Sequence, residues 1–318
     1  MMKPRAIIDL GTNTFQLLIA QKRESDGSMH ILAHEQRPVS LGKGAMKSNV
    51  LQDEAMDRAI QTLIEFKQIA NSFQCTDHQI VALGTSILRR AENTPELVKK
   101  IQQELGIQVE IISGIREAEL IYQGIQSSLP QPWNATSLVM DIGGGSVEFI
   151  LFKANQVLGK LSLEIGGLQL QSLFHLNGEY DQSFNESLVD YIQKALVPLD
   201  QLCQAHQPEV LIGAAGAFET IGDLERVTNL EFQKLTPYAY PLSIPYFLKN
   251  KALIDRIPYG ERVNLPGMKM FRASIFPYAN ALIYQVLHRY HIPEMWISTF
   301  SLKEGYWFFL QSQADKKE

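Results

Sequence analysis

The sequence predicts an α/β protein of two domains, each built on its own mixed sheet. One loop pattern occurs twice, as Ile7-Ile8-Asp9-Leu10-Gly11-Thr12-Asn13-Thr14 and, 132 residues on, as Val139-Met140-Asp141-Ile142-Gly143-Gly144-Gly145-Ser146. Strand-like and helix-like stretches alternate through both halves, the order that characterises α/β folds. The chain is also long enough, at 318 residues with 45% hydrophobic content, to fill two cores.

Each repeated loop is an apolar run ending in Asp, then glycine and small polar residues, then a second apolar run (Phe15 to Ala20; Val147 to Phe152). This reads as strand, tight turn, strand. Glycines let backbone N–H groups close on a phosphate, and the carboxylate is suited to a cation or a water. A Gly-containing hairpin turn is the commoner fate of an Asp-Gly pair; two copies in the same setting favour phosphate binding by two related halves.

After the first hairpin, His30 to His34 predicts a strand and Val39 to Gly44 a loop with two glycines flanking Lys43. Met56, Ala59, Leu63, Phe66, Ala70 and Phe73 recur at helical spacing within a helix from Leu51 to Phe73. Ile80 to Leu83 is a short buried strand. Thr94 is the expected cap of a helix with Pro95 at its first position, ending near Gly106. Val109 to Ile112 is a strand, and Ser113 caps a helix through Tyr122. Pro130-Gln131-Pro132-Trp133-Asn134 interrupts the pattern, which sets the domains at 1–128 and 129–300, with the segment from about 301 to 318 packing back on the first.

The second half repeats the plan. A hairpin from Leu138 to Phe152 precedes a strand near Val157 to Leu163 and helices at Leu168 to Leu176 and Ser183 to Cys203. Val210 to Ile212 enters the glycine loop Gly213-Ala214-Ala215-Gly216 and a helix. Glu294 to Ser298 is a strand and Leu302 to Gln311 a helix.

A formal net charge of −5 argues against a protein that holds DNA through a global positive field, so any phosphate binding is local. The basic pairs Arg89-Arg90, Lys99-Lys100 and Lys316-Lys317 read as solvated surface. No apolar stretch approaches the roughly 20 residues of a membrane span, and the first residues are too short an apolar run for a signal peptide, so the default location is cytoplasmic. Cys75 and Cys203 read as reduced, structural thiols. His288 and His291, placed on a helix, lack a third ligand for zinc. A homodimer is the default assembly.

Six segments, in order across nearly the whole chain, resemble the exopolyphosphatase and guanosine pentaphosphate phosphatase family. They are Ile8 to Thr14, Gly84-Thr85-Ser86-Ile87-Leu88-Arg89, Ser113-Gly114-Ile115-Arg116-Glu117-Ala118, Asp141 to Glu148, Ile212 to Gly216, and Glu261-Arg262-Val263-Asn264-Leu265-Pro266-Gly267. The resemblance is to the short two-domain form. It implies the two-domain actin, hexokinase and sugar-kinase (ribonuclease H-like) fold, with an interdomain cleft.

The activity so implied is Mg²⁺-dependent hydrolysis of terminal phosphate from inorganic polyphosphate. Such hydrolysis needs an oriented water and donors or cations that absorb charge on the equatorial oxygens. The N–H groups of Gly11, Thr12 and Asn13, and of Gly143, Gly144, Gly145 and Ser146, would line two sides of the phosphoryl group, with the Thr12, Asn13 and Ser146 side chains adding donors. By resemblance, Asp9 and Asp141 hold Mg²⁺ or another divalent cation, and Glu117 is the general base. Glu148 then helps place the water or metal, and Arg89 grips a phosphate; read without the resemblance, Glu117 is a helix-dipole acid and Arg89 surface charge. Lys43 would meet a more distal part of the polyanion.

Gln16, Arg116, Glu119, Ala217 and Arg272-Ala273-Ser274 depart from the usual pattern and bear on substrate choice more than on reaction type. Alternatives are removal of the 5′ γ-phosphate of guanosine pentaphosphate, with Gly213 to Phe218 as the nucleoside region, phosphoryl transfer to an acceptor, and non-catalytic sensing of polyphosphate or alarmone.

Overall fold

The computed structural model describes residues 3–174, 185–228 and 238–315. The chain divides into two compact units, Met1–Gln123 with Leu302–Glu318, and Gly124–Ser301. The first unit carries β1 (Arg5–Leu10), β2 (Thr14–Lys22), β3 (Met29–Pro38), α1 (Ala45–Ser48), α2 (Asp53–Ser72), β4 (Ile80–Gly84), α3 (Ser86–Arg90), α4 (Thr94–Leu105), β5 (Gln108–Ile111) and the start of α5 (Gly114–Ser128). Its five-stranded sheet has the order β3-β2-β1-β4-β5. β1 pairs antiparallel with β2 and parallel with β4, and β4 pairs parallel with β5. The carboxyl ends of β1, β4 and β5 therefore lie along one edge of the sheet, where open α/β sheets bind ligands.

The second unit carries β6 (Ser137–Ile142), β7 (Val147–Lys153), β8 (Gln156–Leu163), α6 (Gly167–Phe174), α7 (Asn185–Ala195), α8 (Val197–His206), β9 (Val210–Ala214), α9 (Gly216–Thr228), β10 (Ala239–Leu242), α10 (Ile244–Ile254), α11 (Tyr259–Arg262), α12 (Phe276–Arg289) and β11 (Glu294–Ser298); α13 (Leu302–Asp315) follows and belongs to the first unit. The sheet order is β10-β11-β9-β6-β7-β8. Strands β8-β7-β6-β9-β11 repeat the order and directions of β3-β2-β1-β4-β5, so the two loops do open two halves of one plan. Among the described strands only β10 is extra, and it lies at the edge of the sheet, the place where a proline such as Pro241 is tolerated.

Burial explains the strand sequences. β1 and β6 lie between strands, and Ala6, Ile7, Ile8, Leu138, Val139 and Met140 are buried on successive positions, the pattern of strands covered on both faces. Helix α2 instead buries Ala55, Ala59, Leu63, Phe66 and Ala70 along one stripe. The second core gathers Phe149, Leu151, Phe218, Tyr240, Phe276 and Tyr278 among others.

Several boundaries differ from the sequence expectation. The cap of α4 is Asn93, not Thr94, yet the Asn93 side chain serves no helix amide. Its Oδ1 accepts from Leu51 N–H at 2.8 Å and its Nδ2 donates to Leu51 O at 3.0 Å, tying α4 to the entrance of α2. The helix expected from Ser183 to Cys203 is, in its described part, two helices that part at Leu196; Pro198 stands in the first turn of α8, where a missing N–H costs least. His175, Leu176 and Ser183 fall outside the described residues, as does the Lys316-Lys317 pair. His291 lies past the end of α12 with φ 52°, so it does not share a helix with His288.

Arg289 forks onto Asp200, with Nε at 2.6 Å from Oδ1 and Nη2 at 2.5 Å from Oδ2, while Tyr290 OH donates to Oδ1 at 3.1 Å. The guanidinium holds the Asp200 carboxyl below its ordinary value. A depressed folded-state value gives stability that is fully present above the unfolded-chain value of about 3.9 and is lost as pH falls through the folded value. Asp200→Asn is expected to cost about 1–2 kcal/mol near pH 7, and urea titrations should show that difference shrinking below about pH 3.5.

At Gly213 an added Cβ would stand 2.0 Å from the Phe218 ring. Gly213→Ala is therefore expected to lower the urea midpoint by the equivalent of about 1–3 kcal/mol, and Phe218→Leu in that background should restore part of the loss.

Candidate active site

The amides of both Asp-Gly loops are aimed by the partners of the loop carbonyls. In a trans peptide the C=O of one residue and the N–H of the next point in opposite directions. In the second unit Gly143 O accepts from Gly167 N–H at 3.0 Å, Gly144 O from Leu168 N–H at 2.8 Å and Gln169 N–H at 3.0 Å, and Gly145 O from Gly166 N–H at 3.0 Å. Three successive carbonyls are thus drawn to the first turn of α6. The N–H groups of Gly144, Gly145 and Ser146 face the other way as a row of donors, the arrangement that receives an anion.

The amide of Gly143 is not part of that row. It closes the turn onto Ser146 O at 2.9 Å, so Gly143 serves the loop through its carbonyl. The Ser146 side chain differs from expectation as well: its one O–H donates to Glu148 Oε1 at 2.7 Å, leaving the backbone as its donor toward an anion.

Gly166 and Gly167, which belong to none of the recognisable motifs, carry this brace. A Cβ on Gly166 would lie 2.6 Å from Gly143 O and from the Gly144 carbonyl group, so only glycine allows the close approach. The first loop is held in the same manner. Thr12 O accepts from Gly42 N–H at 2.8 Å, and Asn13 O accepts from Val39 N–H at 3.0 Å and Ser40 N–H at 2.8 Å, which turns the Asn13 and Thr14 amides away from that strap. Gly11 is required because its Cβ would meet Thr14 O at 2.6 Å. Lys43, within the strap's continuation, is exposed.

Strand register sorts the carboxylates. Asp141 lies directly opposite Glu148 across β6 and β7, so the two project from one face, the turn having absorbed their seven-residue separation. Glu148 is almost fully buried, with a second hydroxyl, Ser162 Oγ, donating to Oε1 at 2.8 Å. Asp141 accepts from the Ser301 hydroxyl. In the first unit the residue opposite Asp9 is Gln16.

At the carboxyl ends of β4 and β5 the first unit places Arg89 against Glu117. Arg89 Nη1 donates to Glu117 Oε2 at 2.5 Å and to Ile112 O at 3.2 Å, and both side chains are largely buried. Ser113 Oγ accepts from Arg116 N–H at 3.2 Å and so caps α5, which runs on to Ser128, past the expected Tyr122. Arg89 is therefore a partner of Glu117, with part of its five-donor fork used there. In the second unit Arg272, another residue not singled out as a donor, is buried and donates to Gly216 O and to Thr220 Oγ1 at 3.0 Å, fixing the turn where Ala215 and Gly216 adopt φ 41° and 51°. Burial pushes the Arg272 guanidinium below its ordinary value, against the pull of Glu219, Asp223 and Asp141.

A family model, the Ppx/GppA phosphatase family, matches residues 18–313. The chain belongs to that family. Among solved structures, an exopolyphosphatase from Cytophaga hutchinsonii is 36% identical, with a TM-score of 0.91 over 98% of each chain. A Ppx/GppA family member from Aquifex aeolicus is 24% identical, with a TM-score of 0.78 over 99% of each chain, a likeness of fold. A second Aquifex aeolicus structure, a PPX-GPPA enzyme, is 25% identical with a TM-score of 0.76 over 96% of this chain and 98% of that one. This Ppx/GppA protein is accordingly a phosphoanhydride hydrolase on an actin-like, sugar-kinase-like fold.

Two of its departures from the usual family pattern answer one another. Arg116 Nη1 pairs with Glu119 Oε2 at 3.2 Å, one helical turn apart, and the Arg116 guanidinium lies 4.3 Å from the Phe309 ring centroid. The two side chains thus form a local charge pair on α5 beside Glu117. Among the described residues no three His, Cys, Asp or Glu are grouped closely enough to cage a metal. Asp9 in the first unit and Asp141 in the second each carry the kind of carboxylate oxygen that a hard cation such as Mg²⁺ prefers. Among the described residues no helix is long and apolar enough to cross a membrane.

The brace yields a direct expectation. Gly166→Ala should reduce phosphate release at least ten-fold, because the Gly143 and Gly144 carbonyls must shift and their amides with them. Circular dichroism should retain the wild-type spectrum.

Proposed function

We propose that this Ppx/GppA protein is an exopolyphosphatase, removing terminal phosphate from cytoplasmic inorganic polyphosphate with a divalent cation, Mg²⁺ by its donor set. The observation that carries the reading is the row of outward amides at Gly144, Gly145 and Ser146, held by carbonyls locked to α6. Such donors suit the equatorial oxygens of a phosphoryl group, where charge accumulates during transfer. Within the first unit, the Asn13 and Thr14 amides are turned outward in the same manner.

Glu117 is assigned to the attacking water. A carboxylate is an acceptor with several lone-pair positions, and in this role Glu117 orients the water and receives its proton. The water oxygen bonds to the terminal phosphorus, the bridging P–O bond breaks, and the shortened chain leaves with the bond's electron pair. Arg89 fixes the Glu117 rotamer and adds positive charge beside the reacting phosphate. Bound at Asp9 or Asp141, Mg²⁺ would neutralise phosphate charge. Glu148, opposite Asp141, would help place the water or metal on that side.

Polyphosphate is preferred over guanosine pentaphosphate on two grounds. The 36%-identical Cytophaga hutchinsonii protein is an exopolyphosphatase. Also, the segment from Gly213 to Phe218, the region considered for a nucleoside, is filled by the fully buried Phe218 ring packed on Gly213.

The test is phosphate release from long-chain polyphosphate and from guanosine pentaphosphate with Mg²⁺, beside Glu117→Gln. Release from polyphosphate is expected to fall at least 10²-fold in the variant, in line with removal of general acid–base assistance, and to stop when EDTA removes the metal. Faster turnover of guanosine pentaphosphate would move the substrate to the nucleotide. Binding without turnover would make the protein a sensor.

A further inference from the structure

We propose that Ser162 is a positioning residue for the reaction, holding the Glu148 carboxylate in its working rotamer; the inference rests on the reading above. Ser162 sits on β8 directly opposite Glu148 on β7. Its hydroxyl donates to Glu148 Oε1 at 2.8 Å, and Ser146 Oγ reaches the same oxygen at 2.7 Å from the other side along the chain. Two donors converging on one oxygen of a buried carboxylate fix both its position and its plane, since a hydrogen bond weakens steeply off axis.

The first unit supplies an internal control. Its register places Thr14, Gln16 and Gln36 at the positions of Ser146, Glu148 and Ser162, because Asp9 faces Gln16 and Gln16 faces Gln36 as Asp141 faces Glu148 and Glu148 faces Ser162. There the middle residue is a neutral amide, and the third is a long amide whose Nε2 reaches Thr14 Oγ1 at 3.5 Å. The short hydroxyl at the third position accompanies the acid and not the amide. A serine in this place is a poor choice for the strand on propensity alone, where threonine or valine fits better. The hydroxyl, not the strand, accounts for it.

The experiment compares Ser162→Thr with Ser162→Val, near-isosteres that suit a β-strand equally and differ in the hydroxyl, in steady-state phosphate release from polyphosphate with Mg²⁺. Ser162→Val is expected to lower kcat about ten-fold with KM changed less than two-fold, whereas Ser162→Thr keeps kcat within about three-fold of wild type. In a Glu148→Gln background the same two substitutions should differ by less than two-fold, because the carboxylate they orient is gone. Unfolding midpoints report folding separately. Equal kcat for folded Ser162→Val and Ser162→Thr, with the wild type active, overturns the inference alone. Absence of phosphate release by the wild type overturns the exopolyphosphatase reading, and the inference with it.

Discussion

The carbonyls of the Asp-Gly loops are tied from behind, and the rest of the site depends on that constraint. A glycine loop in isolation has no preferred way to face, because glycine samples both signs of φ at little cost. Here the peptide planes of Gly143, Gly144 and Gly145 are fixed by four amides at the start of α6, and those of Thr12 and Asn13 by the strap from Val39 to Gly42. Each bond is individually modest, of the order of 1 kcal/mol. Collectively they settle the orientation of donors before any anion arrives, and preorganised donors need no rearrangement during reaction.

Behind this lies the sheet. Because β1, β4 and β5 run parallel, the turn after Leu10, the turn after Gly84 and the turn after Ile111 share one edge, and the same holds for β6, β9 and β11. Residues far apart in sequence, such as Arg89 and Glu117, meet for this reason. The repeated order makes the two units comparable position by position, and the comparison exposes a difference in chemistry within a common plan. One half faces its aspartate with a hydroxyl-held acid and the other with an amide.

Much of this was legible in the sequence. The two loops announced related halves, the alternating strands and helices gave the class, and the spacing of Ala59, Leu63, Phe66 and Ala70 gave α2 with bounds close to those observed. What was not legible depended on register or on packing between distant segments. Ser162 becomes a partner of Glu148 only once β8 is laid beside β7 in a particular alignment, and an intervening irregularity at Leu151/Phe152 makes counting residues unreliable. Gly166 looks like a helix-entry glycine until its approach to Gly143 is measured. β10 was hidden by Pro241, which local rules take as evidence against a strand. A hydroxyl beside glycines, as at Ser146, suits an anion donor, but here it donates to a buried acid two residues on.

The dependence of the second loop on Gly166 to Gln169 also limits what can be called a module. The hairpin of β6 and β7 contains every residue of the recognisable pattern, yet its donors are directed by amides some twenty residues downstream, beyond an entire strand. The hairpin is therefore not portable: transplanted without β8 and the first turn of α6, it would carry the signature and lose the geometry. Conversely, a distant chain that preserved the docking glycines and the strand between could change much of the signature and still present the same row of donors. Homology searches keyed to the loop alone look at the part of the device that is least able to stand by itself.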